Sequence, residues 1–184
     1  MFEEYLDIVD ENGNLTGEKQ LRSVCHAKGL WHRTVRIYLF RKINSEVELL
    51  AHSFLIKRKA NPHMWTASFG GHIKSGENIE ETIITELKEE IGLDFKFEDL
   101  ISGFNAKYYI TYDSIINCEY SIIVYLLYEG DIKKLTFGDD EIQQIKWQSF
   151  EAIEEAIRND PTQWGIKINE LLLVKKDLLE KISQ

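Results

Sequence analysis

The hydrophobic pattern falls into short β-rich runs, one long helical stripe, more β-rich runs and a helical close. Tyr5 to Val9 predicts a strand, halted by the turn-forming Asp10-Glu11-Asn12-Gly13-Asn14. Glu18 to Lys28 predicts a short helix ended by Gly29. The run WHRTVRIYLFR, Trp31 to Arg41, is rich in β-branched and aromatic residues, and Val47 to Lys57 follows it. Together they predict two strands paired through a turn at Asn44. A polar loop, Arg58 to His63, precedes a short extended segment, Trp65 to Phe69, that ends in Gly70-Gly71.

The stripe is Ile79, Ile83, Leu87 and Ile91, one apolar residue every four. Asn78 is placed as its N-cap, Glu81 completes a capping box, and Gly92 ends it. The β-branched run Thr82-Ile83-Ile84-Thr85 opposes a helix locally, but the caps and the stripe outweigh it. Beyond Gly92, strands are predicted at Ile101 to Thr111, Cys118 to Tyr128 and Ile142 to Gln148. Ser149 caps a helix to about Arg158, and Pro161 opens a last helix through Leu179. Its Ile166, Leu171, Leu172, Val174, Leu178 and Leu179 would dock it on the body or on a second subunit, which leaves a homodimer open. The whole reads as one α/β domain over 1–184. Residues 1–30 form an N-terminal strand-and-helix extension and 150–184 the C-terminal helices.

At 184 residues and 43% hydrophobic, the chain can bury a core without staples. Cys25 and Cys118 form neither a zinc-like cluster nor a disulfide framework, so a reducing, cytoplasmic setting is expected. The acidic start MFEEYLDIVD predicts no signal peptide, and no stretch reaches the length of a membrane span. A net charge of −9 argues against a general nucleic-acid binder, and no DNA-binding module is seen. An acidic enzyme acting on phosphates commonly recruits a divalent cation to offset the repulsion.

On the predicted helix, Glu86, Glu89 and Glu90 fall within an arc of roughly 100° beside the apolar stripe. Carboxylates spaced i, i+3, i+4 repel one another, and the core edge adds a desolvation cost. Mg²⁺ or Mn²⁺, hard cations that prefer oxygen ligands, would offset both. Taken alone, the same acids suit an ordinary solvated helix face. The surrounding spacing decides otherwise.

Gly71, five residues, Glu77, seven residues, then Thr85-Glu86-Leu87-Lys88-Glu89-Glu90-Ile91-Gly92-Leu93 closely resembles the Nudix box over residues 71–93. Eight of its nine specified positions match, and the six fixed Gly and Glu matches alone arise by chance in roughly one window per ten million. The exception is Thr85, where the family carries an Arg that helps hold a neighbouring glutamate. The resemblance implies an α/β/α sandwich with a mixed sheet. It also implies metal-dependent attack of water on the diphosphate bond of a nucleoside diphosphate derivative or nucleotide, with Mg²⁺ or Mn²⁺. By position, Glu86, Glu89 and Glu90 would be catalytic and metal-binding, with Glu86 a ligand or the base. The Gly70 carbonyl would be a further ligand, and Glu77 and Gly71 would support the loop. Lys57, Arg58, Lys59, Trp65 and His72 are candidate substrate contacts, and Glu119, Asp140 and Glu141 candidates for an extra acid.

A second likeness is to the branch that includes isopentenyl-diphosphate isomerase. It rests on His26 and His32 around Gly29-Leu30-Trp31, and on Trp65-Thr66-Ala67-Ser68-Phe69-Gly70-Gly71-His72. It implies that the histidines and a downstream glutamate, with Glu119 the nearest match, bind a metal. Gly70 stands where those isomerases carry a catalytic cysteine, and the hydrolase box is nearly intact. A hydrolase is therefore favoured over an isomerase or a non-catalytic nucleotide-binding domain.

Overall fold

The computed structural model describes residues 4–54, 63–112, 115–137 and 142–183. Among them the strands are β1 (Tyr5–Val9), β2 (Leu15–Leu21), β3 (His32–Ile43), β4 (Glu46–Phe54), β5 (Trp65–Thr66), β6 (Leu100–Tyr112), β7 (Ile115–Leu127) and β8 (Ile142–Ser149). The helices are α1 (Arg22–Lys28), α2 (Ile79–Ile91), α3 (Phe150–Asn159) and α4 (Ile168–Ile182).

Strand β3 is the hub. It runs parallel to β7 from His32 opposite Glu119 to Phe40 opposite Leu127, and antiparallel to β4 near its end. Antiparallel β6 extends the sheet beyond β7, and β8 beyond β4, so the sheet is mixed. Val35, Ile37 and Leu39 face one core with Ile83, Leu87 and Ile91 of α2. Tyr38 and Phe40 face another with Ile153, Leu171, Val174 and Leu178 of α3 and α4. A strand covered on both faces is apolar almost throughout, which accounts for the run from Trp31 to Arg41. The expected α/β/α sandwich is what forms.

Helix α2 follows its predicted bounds. The Asn78 side chain accepts from the Glu81 amide at 2.8 Å and the Glu81 carboxylate faces the Asn78 amide, while Gly92 adopts φ 65° at the C-cap. The β-branched run is tolerated because Ile83 is core and Thr82, itself buried, donates its hydroxyl to the Asn78 carbonyl at 3.1 Å. Asn78→Ala is expected to cost about 1 kcal/mol. It should lower the denaturant midpoint at unchanged slope, and an unmoved midpoint would show that the cap contributes nothing.

Two sequence expectations are corrected. The helix expected from Glu18 begins only at Arg22, because Leu15–Leu21 pair as β2 with β1, with Tyr5 opposite Leu21. The Asp10 carboxylate accepts from the amides of Asn12 and Asn14. It thereby closes a turn that lays β2 along β1, and cross-strand pairing overrides the helix propensity of Glu18, Lys19 and Gln20. At the other end, Pro161 opens a single 3-10 turn, Pro161–Gln163. Trp164 is then buried beside Trp65, and the Gly165 amide donates to the Trp65 carbonyl at 2.8 Å. This delays the start of α4 to Ile168. In α4, Leu171, Val174 and Leu178 are buried on the body, while Leu172 and Leu173 stay 41% and 56% exposed. The strand expected to Lys57 is seen to Phe54, and its remainder lies outside the described residues. No helix among the described residues is long and apolar enough to cross a membrane.

Candidate active site

Residues 69–73 lie along the edge of β3. The Phe69 amide and carbonyl both pair with Ile37, the Gly71 carbonyl accepts from Val35 at 2.9 Å, and the Ile73 amide donates to Arg33 at 3.0 Å. Side chains on such a segment alternate between faces. Gly71 therefore faces α2, where a Cβ would lie 2.4 Å from Glu86 Oε1, and His72 faces the other side. Gly70 takes φ 133°, and a Cβ there would sit 2.2 Å from the Val35 carbonyl, so only glycine fits. Its amide donates to Glu90 Oε2 at 3.1 Å. Two acids of α2 thus meet the glycine loop, one packed on its surface and one hydrogen-bonded to its backbone.

Burial, then the charge of Glu89, push the Glu86 carboxyl up to about 7, against the opposing pull of Lys74. Glu89 is exposed on the same face. Glu77 bridges loop and helix: its carboxylate accepts from the Thr82 hydroxyl at 3.4 Å and lies 3.7 Å from Lys74 Nζ. This all-oxygen donor set, with one carboxyl whose pKa is raised by burial and a neighbouring charge, fits Mg²⁺ or Mn²⁺. A pH effect follows for the metal-free protein. Unfolded, Glu86 ionises near its ordinary value of 4.5, whereas folded it ionises near 7. The folded state therefore holds more protons in between. The stabilising contribution is full below that window and lost as pH rises through it, at most about 2 kcal/mol once solvent screening is allowed for. Denaturation in chelator across the window should show this fall, and Glu86→Gln should flatten it. An equal fall in the variant would assign the effect to other groups.

On the opposite face, His26 of α1, His32 of β3 and His72 of the loop converge, their ligand atoms within 4.8 Å of one another. Each ring has a buried Nε2 without a hydrogen-bond partner among the described residues. His32 Nδ1 lies 2.8 Å from the Leu30 carbonyl. A carbonyl only accepts, so Nδ1 carries the proton and Nε2 the lone pair. Burial keeps all three rings neutral, lowering each pKa and that of His72 to about 3. Three neutral imidazoles with ring nitrogens this close fit a divalent transition metal. The three histidines named for that metal centre lie together, while Glu119 is bonded to Arg36 and Asn117.

The structure places the remaining candidates as follows. Trp65 packs beside Trp164 with Lys146 Nζ 4.1 Å from its ring centroid, so this ring is engaged in packing. Glu119 lies next to the histidines, opposite His32 in the ladder. Thr85 is exposed, and Glu86 is placed by its packing on Gly71. Lys57, Arg58, Lys59, Asp140 and Glu141 lie outside the described residues. Sequence reasoning missed two groups. Glu4 pairs with Arg22 at 2.9 Å and approaches His72 Nδ1 at 3.7 Å. Arg36 ties Glu119 to Glu170 of α4. An arginine inside the apolar WHRTVRIYLFR run was the available signal for the second.

Comparison with known proteins agrees with this geometry. The NUDIX domain model matches residues 30–167. An uncharacterized Nudix hydrolase of Clostridium acetobutylicum is 34% identical over 142 residues, covering 77% of this chain and 68% of that protein. Isopentenyl-diphosphate Delta-isomerase 2 of Photorhabdus laumondii is 27% identical over 169 residues, covering 90% of each. Among solved structures, DR0079 of Deinococcus radiodurans shares the fold with a TM-score of 0.67 at 18% identity, over 94% of this chain and 98% of that one. With a family model spanning most of the chain and the glycines and acids of the box folded as one loop and helix, this chain belongs to the NUDIX domain family.

Proposed function

We propose that this Nudix pyrophosphohydrolase cleaves the diphosphate bond of a nucleoside diphosphate derivative or nucleotide, with Mg²⁺ or Mn²⁺ held by the box. The observation that carries the reading is the seating of Glu86 against Gly71 and of Glu90 on the Gly70 amide. It brings loop and helix acids into one oxygen-rich site, with the Gly70 carbonyl, Glu86, Glu89 and Glu90 as the proposed ligands. A bound cation would neutralise charge on the phosphoryl oxygens. Glu86, raised toward neutrality by burial, is suited to take a proton from the attacking water. Glu77 and Gly71 keep loop and helix in register. One domain over 1–184 carries this site.

The histidine cluster favours a second reading, isomerisation of an isoprenoid diphosphate. Against it, Gly70 offers no side chain where a thiol would be required. Glu119 is already engaged by Arg36 at 3.1 Å and by the Asn117 amide.

The deciding assay presents nucleoside diphosphate derivatives, nucleoside triphosphates and isopentenyl diphosphate with each metal, then with chelator. Products are separated by ion exchange. Metal-dependent release of a nucleoside monophosphate supports the hydrolase. Conversion of isopentenyl diphosphate to its allylic isomer, without release of any nucleotide or phosphate across the panel, sinks it.

A further inference from the structure

Behind the histidines lies a buried ionic network centred on Arg36. Arg36 Nη2 meets Glu119 Oε2 at 3.1 Å and Arg36 Nη1 meets Glu170 Oε1 at 3.3 Å. The guanidinium stacks 3.7 Å from the ring centroid of Tyr108. Glu170 Oε1 also accepts from the hydroxyls of Tyr38 at 2.8 Å and Tyr108 at 2.7 Å. Burial raises the pKa of both phenols, so they remain donors. Asn117 donates to the other Glu119 oxygen, and its own Oδ1 is buried without a partner among the described residues.

The charges of this network do not balance. One guanidinium faces two carboxylates, which leaves a net negative charge in a poorly hydrated place beside three neutral imidazoles. The neighbouring Arg22–Glu4 pair is neutral in sum and does not correct it. A cation held by the imidazoles would be stabilised by that surplus, and Glu119 stands directly opposite His32 in the sheet. Arg36 and such a cation therefore draw on the same carboxylate. Glu170, rooted on α4, determines how much of Arg36 is left for Glu119.

We infer that Arg36 and Glu170 are positioning residues that set how tightly the His26, His32 and His72 centre holds a divalent cation, by competing for and releasing Glu119. The inference rests on reading those histidines as cation ligands. It predicts effects of opposite sign. Arg36→Met frees Glu119 and deepens the negative charge, which tightens binding by about tenfold. Glu170→Gln keeps an acceptor for the two tyrosines, turns Arg36 wholly toward Glu119 and removes the surplus charge. It weakens binding by about tenfold. A purely structural network would weaken both.

The test is a Co²⁺ titration of the full chain in excess Mg²⁺, which occupies the carboxylate site. Visible absorption is followed, since nitrogen-bound Co²⁺ of low coordination number absorbs far more strongly than Co²⁺ in an octahedral oxygen site. Circular dichroism reports the fold of each variant. The expected result is tighter binding in Arg36→Met and weaker binding in Glu170→Gln, with the band lost in His32→Ala. Equal affinities, or weakening in both variants, overturn the inference while leaving the centre intact. No histidine-dependent band in the unaltered protein overturns the centre and the inference together. Should Arg36→Met fail to fold, Arg36→Gln takes its place beside Glu170→Gln: tighter binding in Arg36→Gln supports the inference, and unchanged or weaker binding ends it.

Discussion

Replacing Glu89 and Glu90 together by Gln is expected to lower metal-dependent diphosphate hydrolysis about a thousandfold. The two glutamines keep the size and shape of the acids. The amide that replaces the Glu90 carboxylate retains an oxygen to accept from the Gly70 amide, as Glu90 now does at 3.1 Å. Glu89 is exposed, so the core loses nothing. What disappears is the pair of charges on which the proposed cation site depends. A metal that stabilises the phosphoryl oxygens contributes several kcal/mol. Losing about 4 kcal/mol of that stabilisation is a thousandfold in rate. The check is kcat/KM against metal concentration on the best substrate of the panel, beside thermal denaturation of the same preparation. A variant that melts normally and turns over normally would remove these two acids from the site. A loss of rate restored by much higher metal would show that binding of the metal, and not its placement, had been damaged.

The part of this site that was legible in the sequence is the part set by local spacing. Glu86, Glu89 and Glu90 share a face because a helix repeats every 3.6 residues. The caps that fix that helix, Asn78 with Glu81 at one end and Gly92 at the other, are themselves sequence signals, and all three form. The strand pattern around β3 was equally readable, because a strand covered on both faces carries a continuous apolar run. What local spacing could not convey was anything decided by pairing. Glu18, Lys19 and Gln20 favour a helix by propensity, yet lie in β2 because β1 offers a partner. Trp164 and Gly165 delay α4 because a distant strand, β5, takes their hydrogen bond and ring contact. The same limit hid Arg36 and Glu170, separated in sequence and joined only when α4 lies across the sheet. The histidines stood between these cases. Their neighbourhood in the sequence hinted at a common role, but convergence of the three rings needs α1, β3 and the glycine loop folded together.

Gly71→Ala is expected to reduce turnover about a hundredfold while leaving the fold in place. The added Cβ would stand 2.4 Å from Glu86 Oε1 and 2.7 Å from the carboxyl carbon, closer than real contacts allow. The neighbour that must give way is the end of a flexible side chain, so Glu86 swings aside and the backbone stays. The Gly71 carbonyl can keep its bond to the Val35 amide. If Glu86 acts on the attacking water as proposed, its displacement by about an ångström is worth about a hundredfold. Gly70→Ala is the contrasting case. There the clash is with the backbone carbonyl of Val35, in a left-handed conformation that alanine resists, so the loop itself must leave β3 and stability falls with activity. The two glycines therefore separate geometry from folding. The double variant Gly71→Ala, Glu86→Asp sharpens the distinction, since shortening the acid by one methylene makes room for the new methyl. Partial recovery of rate in the double variant would tie the loss to the position of the Glu86 carboxylate. Wild-type turnover in Gly71→Ala alone would take Glu86 out of the reaction and leave Glu89 and Glu90 to carry the metal without it.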